Sequence, residues 1–225
     1  MNLLRFITAG AANAQATLIQ AAGLWMFAAL LILLARSVRE WWFEALAKSF
    51  VCLALALALL RAGFALGASY GRPFYFAYFV GEYFFLHYLL SGVCGLAGRS
   101  YRPDPRMAAT AAILVALVLT AVPEFSLAFV VQAAILAAGL LTAAFICGTA
   151  AVRQERGAGV RLLGLSLLML GIGFAQYVPV MTPVVLANRT LPEGYATFMP
   201  VFDLLFESLL ACAIIVTGME SVNER

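Results

Sequence analysis

Seven apolar runs separated by short polar segments account for most of the chain. About 20 residues at the helical rise of roughly 1.5 Å match the hydrocarbon thickness of a bilayer, so runs of this length predict transmembrane helices. We predict crossings at residues 17–35, 44–68, 73–98, 107–122, 125–152, 162–186 and 197–219. Residues 1–16 are interpreted as a short lead-in, and residues 220–225 as the start of a polar helical linker.

Composition strengthens this interpretation. Of the 225 residues, 64% are hydrophobic and only 11% are charged, which is far from the balance of a soluble domain. The sequence therefore predicts an all-α integral membrane protein, a seven-transmembrane helix bundle in the inner (plasma) membrane, with little chain left for an aqueous domain.

The arginines indicate how the bundle is oriented. The connections after the first, third and fifth crossings hold eight of them, against Arg5, Arg72 and Arg189 on the other side. By the positive-inside rule, the N-terminus is expected outside and the C-terminus in the cytoplasm. A net charge of only +3, with its arginines in short loops, does not suggest a nucleic-acid partner. The eight arginines are Arg36, Arg39, Arg99, Arg102, Arg106, Arg153, Arg156 and Arg161.

The third crossing carries Glu82 and His87 in an aromatic-rich run. An ionisable group at membrane depth costs a few kcal/mol, so such groups normally face a protein interior or a wet cavity. Counted from the outer end of its helix, Glu82 lies about nine residues, or roughly 14 Å, deep, and His87 lies about a turn and a half further in. Asp203 and Glu207 are four residues apart in the seventh crossing, hence on one helix face.

Other polar residues fall at a similar depth, which predicts an outward-accessible polar pocket enclosed by helices two, three, five, six and seven. Three adjacent carboxylates cannot all stay ionised cheaply, so the pocket favours a cation, a cationic ligand or shared protons. The alternative is a purely structural cluster in which Arg61 pairs with one carboxylate and the rest are hydrogen-bonded. In the first helix, Gln20 and Trp25 mark a candidate inward face. The candidate ligand-binding residues are Arg61, Glu82, His87, Gln132, Gln176, Tyr177, Asp203 and Glu207.

No cofactor is expected from the sequence. The four cysteines lie in different apolar runs without metal-ligand spacing and are interpreted as buried thiols. A single histidine excludes a bis-histidine haem within one copy. A retinal Schiff base needs a lysine in the last helix, whereas the only lysine, Lys48, lies near the start of helix two and is expected to pair with Glu44.

Three segments resemble the seven-helix N-terminal sensor regions that precede histidine kinase or diguanylate cyclase domains in bacteria: FVGEYFFLHYLLSGVCGLAGRSY, RLLGLSLLMLGIGFAQYVPV and FMPVFDLLFESLLACAIIVTGMESVNER. The resemblance implies a sensory input module, as in two-component systems, with a linker from helix seven to a cytoplasmic output domain. By analogy with those enzymes it also implies a homodimer. Neither a phosphoacceptor-histidine motif nor a GGDEF run occurs in the chain, and no binding residue is carried over.

We therefore predict a membrane sensory module that responds to a small ligand or a proton and signals through helix seven. The alternative is a small proton- or cation-coupled transporter or an accessory membrane subunit, although inverted repeats and paired broken helices are not evident. An enzyme is not expected, because the chain offers no nucleophile–base pair or metal cluster.

Overall fold

The computed structural model describes residues 11–99, 104–122, 125–153, 157–187 and 195–223. These residues form seven α-helices with short connections and no strand, which confirms the predicted all-helical architecture. The helices are α1 (Ala11–Val38), α2 (Trp41–Tyr70), α3 (Arg72–Leu96), α4 (Pro105–Ala121), α5 (Phe125–Arg153), α6 (Ala158–Leu186) and α7 (Tyr195–Asn223).

Six of the seven helices are long and apolar enough to cross a membrane, so the protein is a multi-pass membrane protein. The shorter one is α4, whose 17 residues extend about 25 Å at helical rise. Part of the predicted lead-in is helical, since α1 includes Ala11; residues 1–10 lie outside the described part of the chain. Helix α7 continues to Asn223, and the last two residues of the predicted linker are outside the description.

Tight connections keep consecutive helices side by side. Two residues join α1 to α2, and Arg39 among them has a φ of 54°, in the left-handed region that often ends a helix. Gly71 alone separates α2 from α3. Asp104 immediately precedes α4, and its side chain accepts a hydrogen bond from the Arg106 N–H at 2.9 Å and so caps the helix.

Six helices form a closed ring. Helix α1 packs on α2, α2 on α3, α3 on α5, α5 on α6, α6 on α7, and α7 returns to α1. Helix α4 lies outside the ring against α3 and α5. The ring interior at one end is a core of buried leucine, alanine and phenylalanine side chains, whereas the other end contains the polar residues described below.

Helices α6 and α7 are joined at the apolar end by one polar contact. The Glu220 carboxylate of α7 accepts hydrogen bonds from the Gly159 N–H at 3.0 and 3.1 Å. A Cβ atom added at Gly157 or Gly159 would lie 2.6 or 2.7 Å from Glu220 Oε2, so glycine leaves the space that the carboxylate occupies. Since Gly157 provides no side-chain cap, α7 supplies an anionic cap to the first turn of α6.

The structure corrects two expectations about side-chain direction. Trp25 is 43% exposed, so it faces away from the ring interior. All four cysteines are free; Cys94 and Cys147 are buried as expected, but Cys52 is only half-buried and Cys212 is exposed. The predicted Lys48–Glu44 ion pair is confirmed at 2.7 Å on the surface of α2.

Candidate functional site

The polar residues of the ring interior lie at one level. Glu82, Gln132, Asp203 and Glu207 are about seven to twelve residues, or roughly 10 to 18 Å, from the starts of α3, α5 and α7. Tyr177 is about nine residues before the end of α6, which runs in the opposite direction. These five side chains therefore share one level of the ring.

Glu82 is held by α3 and α5. Its side chain is 3% exposed and accepts a hydrogen bond from the Gln132 amide, which is 1% exposed. Tyr78, one turn earlier on α3, also hydrogen-bonds to this carboxyl group. A membrane interior provides no bulk water for these groups, so the contacts replace hydration and connect the two helices.

Asp203 is held by α6 and α7. The Tyr177 hydroxyl donates a hydrogen bond to Asp203 Oδ1 at 2.5 Å. Tyr177 is only 2% exposed, and its ring lies 5.8 Å from the rings of both Phe129 and Phe174. Because this aromatic packing fixes the tyrosine ring, it also fixes the direction from which the hydroxyl meets Asp203.

Glu207 is held by α1 and α7. The Gln20 amide donates to Glu207 Oε2 at 3.2 Å and to Oε1 at 3.3 Å, and both side chains are buried. Gln20 was identified in the sequence as inward-facing but was not placed in the candidate site. Gln20 is the residue by which α1 takes part in the site. Its signal in the sequence is that it is the only glutamine in the apolar run 17–35.

The three carboxyl groups interact with one another as well as with these partners. Asp203 interacts electrostatically with both Glu82 and Glu207, and Glu82 also interacts with Glu207. We call this group, Glu82, Asp203 and Glu207 with their partners Gln20, Tyr78, Gln132 and Tyr177, the carboxyl cluster. It connects α1, α3, α5, α6 and α7, and its hydrogen-bond donors to the carboxyls are neutral amides and hydroxyls.

Three of the predicted residues are not brought into this hydrogen-bonded group. Gln176 is exposed on α6, since one residue of offset from Tyr177 turns a side chain by about 100°. His87 is half-buried with its ring 5.2 Å from that of Tyr88, and it lies about 140° around α3 from Glu82. Arg61 is half-buried on α2, about nine residues from the end of that helix.

Metal binding finds no support in the described part of the chain. No group of three or more His, Cys, Asp or Glu side chains in the described residues is arranged to hold a metal ion. The carboxyl cluster consists of buried carboxyl groups that accept hydrogen bonds from neutral amide and hydroxyl donors.

Comparison with known proteins does not extend this chemistry. The chain matches no protein-family model, no curated protein and no solved structure. Function must therefore be argued from the carboxyl cluster and the helices that hold it.

Proposed function

We propose that this protein is a membrane sensory input module in which a change in protonation of the carboxyl cluster, or binding of a small ligand there, sets the position of α7. The proposal includes seven crossings with the N-terminus outside, as the arginine distribution favours. In that orientation the cluster lies in the outer half of the membrane, and α7 carries the signal to the cytoplasm. An output domain and a homodimeric partner belong to the same proposal.

The observation that carries the proposal is the sharing of three interacting carboxyl groups among five helices. Glu82 holds α3 to α5, Asp203 holds α7 to α6, and Glu207 holds α7 to α1. Close like charges disfavour ionisation of all three, so bound protons and helix contacts are coupled. Any change in occupancy alters hydrogen bonds that belong to different helices.

Helix α7 is the element most affected. It carries two of the three carboxyl groups and packs against both α1 and α6. An ionised carboxylate only accepts hydrogen bonds, whereas its protonated form also donates one. Protonating Asp203 or Glu207 therefore changes which partners suit it, and two arrangements of α7 acquire different stabilities. Such differential stabilisation is the minimum requirement for a signalling transition.

The test is a distance measurement in lipid nanodiscs. Spin labels are attached at Val222 of α7 and Val152 of α5, both exposed at the end opposite the cluster, after Cys212 and Cys52 have been replaced. We expect the distance distribution between the labels to change between acidic and alkaline buffer. The triple variant Glu82→Gln, Asp203→Asn, Glu207→Gln should hold one distribution throughout, because it lacks all three carboxyl groups of the cluster.

The control for this experiment is Glu44→Gln, which removes a surface carboxylate from the exposed ion pair with Lys48. It should leave the response to pH unchanged. A wild-type distribution that is the same in both buffers would contradict the sensing role of the cluster.

A proton- or cation-coupled carrier is the second candidate, since buried carboxyl groups facing a bundle interior are also typical of transport pathways. Sealed liposomes containing the protein distinguish the two. A carrier dissipates an imposed pH gradient in a manner that depends on Glu82 and Asp203, whereas a sensor changes the position of α7 without net proton flux.

A further inference from the structure

Three buried polar atoms without a hydrogen-bond partner among the described residues all border the carboxyl cluster. They are Gln132 Oε1, Tyr83 Oη and Tyr195 Oη. Gln132 is itself 99% removed from solvent and uses its amide nitrogen to bind Glu82. Buried polar atoms are paired in the great majority of cases, so a concentration of unpaired ones at one place indicates that something else binds there.

The two tyrosine hydroxyls are associated with different carboxyl groups of the cluster. Tyr83 follows Glu82 in the chain and interacts electrostatically with it. Tyr195 interacts with Asp203, and its ring lies 6.4 Å from that of Tyr177. Because Tyr195 begins α7, about eight residues or roughly 12 Å before Asp203, it lies between the cluster and the nearer end of the bundle.

The donor and acceptor properties of these atoms indicate which molecule could bind between them. Gln132 Oε1 is an acceptor only, the carboxylates are acceptors, and tyrosine hydroxyls both donate and accept. A ligand that bridges them must donate hydrogen bonds and must also be able to accept one. Water meets both conditions, and buried water is found where two to four polar partners surround a small space.

We propose that ordered water bridges Tyr195, Asp203, Glu82 and Gln132, and that this chain of hydrogen bonds is the route by which protons reach the carboxyl cluster. This inference rests on the proposed sensing role. It adds the place where protons enter the bundle, which is the end at which α7 begins. Tyr195 is the relay residue nearest that end.

Each transfer conserves protons and electrons. A proton from bulk solvent binds a bridging water, the Tyr195 hydroxyl accepts a proton from that water while releasing its own to the next water, and a carboxylate of the cluster gains the final O–H bond. Tyrosine ends as it began, and the only net change is one proton moved from solvent to a carboxylate.

The titratable and charged groups around the route are known for each surrounding helix. Helix α3 supplies Tyr78 and Tyr83, α6 supplies Tyr177, and α7 supplies Tyr195 beside the carboxyl groups. Among the described residues, α1 and α5 contribute the amides Gln20 and Gln132 to the cluster contacts, and α2 carries Arg61 at a similar level.

Stopped-flow mixing with a pH-indicator dye tests the route on the whole protein in detergent micelles. After an acid jump, wild type should take up protons that the double variant Glu82→Gln, Asp203→Asn does not. Tyr195→Phe should slow this uptake several-fold while leaving the total number of protons unchanged, because phenylalanine removes the relay but not the carboxylates. Tyr83→Phe, which lies at the level of Glu82 and not at the entrance, should have the smaller effect on rate.

The matched control is Tyr88→Phe, whose ring packs on Phe84 and His87 away from the cluster. It should change neither rate nor amount. Unchanged uptake kinetics in Tyr195→Phe would overturn the route while leaving the proposed function intact. Absence of any uptake that depends on the carboxyl groups in wild type would overturn both.

Discussion

The two ends of the helix ring are stabilised by different kinds of interaction. Where α1, α3, α5 and α7 begin, neighbouring helices are connected by buried side-chain hydrogen bonds such as Glu82–Gln132 and Tyr177–Asp203. At the other end, glycines let helices approach closely, as at Gly92, where an added Cβ would lie 2.9 Å from the Trp42 carbonyl oxygen. The first end therefore contains buried, hydrogen-bonded carboxyl groups, and the second contains closely packed apolar helices. In the proposed function, a signal generated at the first end is transmitted through the second.

Helices α6 and α7 are hydrogen-bonded to each other at both ends of the ring. Tyr177–Asp203 ties them at the polar end, and Glu220–Gly159 ties them at the apolar end. We expect a shift of α7 to take the first turn of α6 with it, so that the moving unit is a helix pair.

The largest effect on stability is expected where a buried carboxyl group loses its partner. Gln132→Leu leaves Glu82 without its amide and should lower the free energy of unfolding by about 2 kcal/mol, measured by denaturant titration in micelles. The double variant Glu82→Leu, Gln132→Leu should recover part of this loss, because neither buried polar group then remains.

The same substitution outside the cluster is the control. Gln176→Leu alters an exposed glutamine on α6 and should change stability by less than about 0.5 kcal/mol. Equal losses of unfolding free energy in Gln132→Leu and Gln176→Leu would show that the buried hydrogen bond to Glu82 does not stabilise the polar end.

At the apolar end, the sensitive change is an added methyl group. In Gly92→Ala the new Cβ meets Leu46 Cγ at 2.6 Å as well as the backbone of α2, which should cost about 1 to 2 kcal/mol. Gly148→Ala has nothing within 4 Å and serves as the matched control. The comparison between the ends fails if both alanine variants unfold at the same denaturant concentration.

A smaller effect is expected from the polar contact within the apolar end. Glu220→Ala removes the cap of α6 and should cost about 1 kcal/mol, with faster hydrogen exchange at the Gly159 amide. Val222→Ala, at an exposed site two residues further along α7, should leave that exchange rate unchanged. Slow exchange at Gly159 in Glu220→Ala would show that the cap does not hold the two helices together.

The smallest effect is expected on the surface. Lys48→Ala breaks the exposed pair with Glu44 and should change stability by less than about 0.5 kcal/mol, since exposed ion pairs contribute little. A loss as large as that of Gln132→Leu would mean that burial does not set the order of these effects.

Helix positions and residue depth were predictable from the sequence. Long apolar runs broken by glycine, proline and arginine predicted helices whose ends differ from the observed ends by up to six residues, and counting along them placed Glu82, Gln132, Tyr177, Asp203 and Glu207 at one level.

Rotation about each helix axis and the order of helices in the ring were not predictable. Depth does not distinguish Gln176 from Tyr177, although only the tyrosine faces inward. Gln20 was left out of the site because its role requires α1 to pack beside α7, and that contact joins the two ends of the sequence. Tyr78 was hidden among other aromatic residues with nothing to mark it as the partner of Glu82.

The most direct test of the central claim is an infrared difference spectrum of the protein between acidic and alkaline buffer. If the carboxyl cluster exchanges protons, wild type should show the C=O stretching band of protonated carboxyl groups in the difference spectrum. This band should be reduced in Glu82→Gln and in Asp203→Asn and unchanged in Glu44→Gln. A wild-type band that persists undiminished in both cluster variants would contradict proton sensing by these residues.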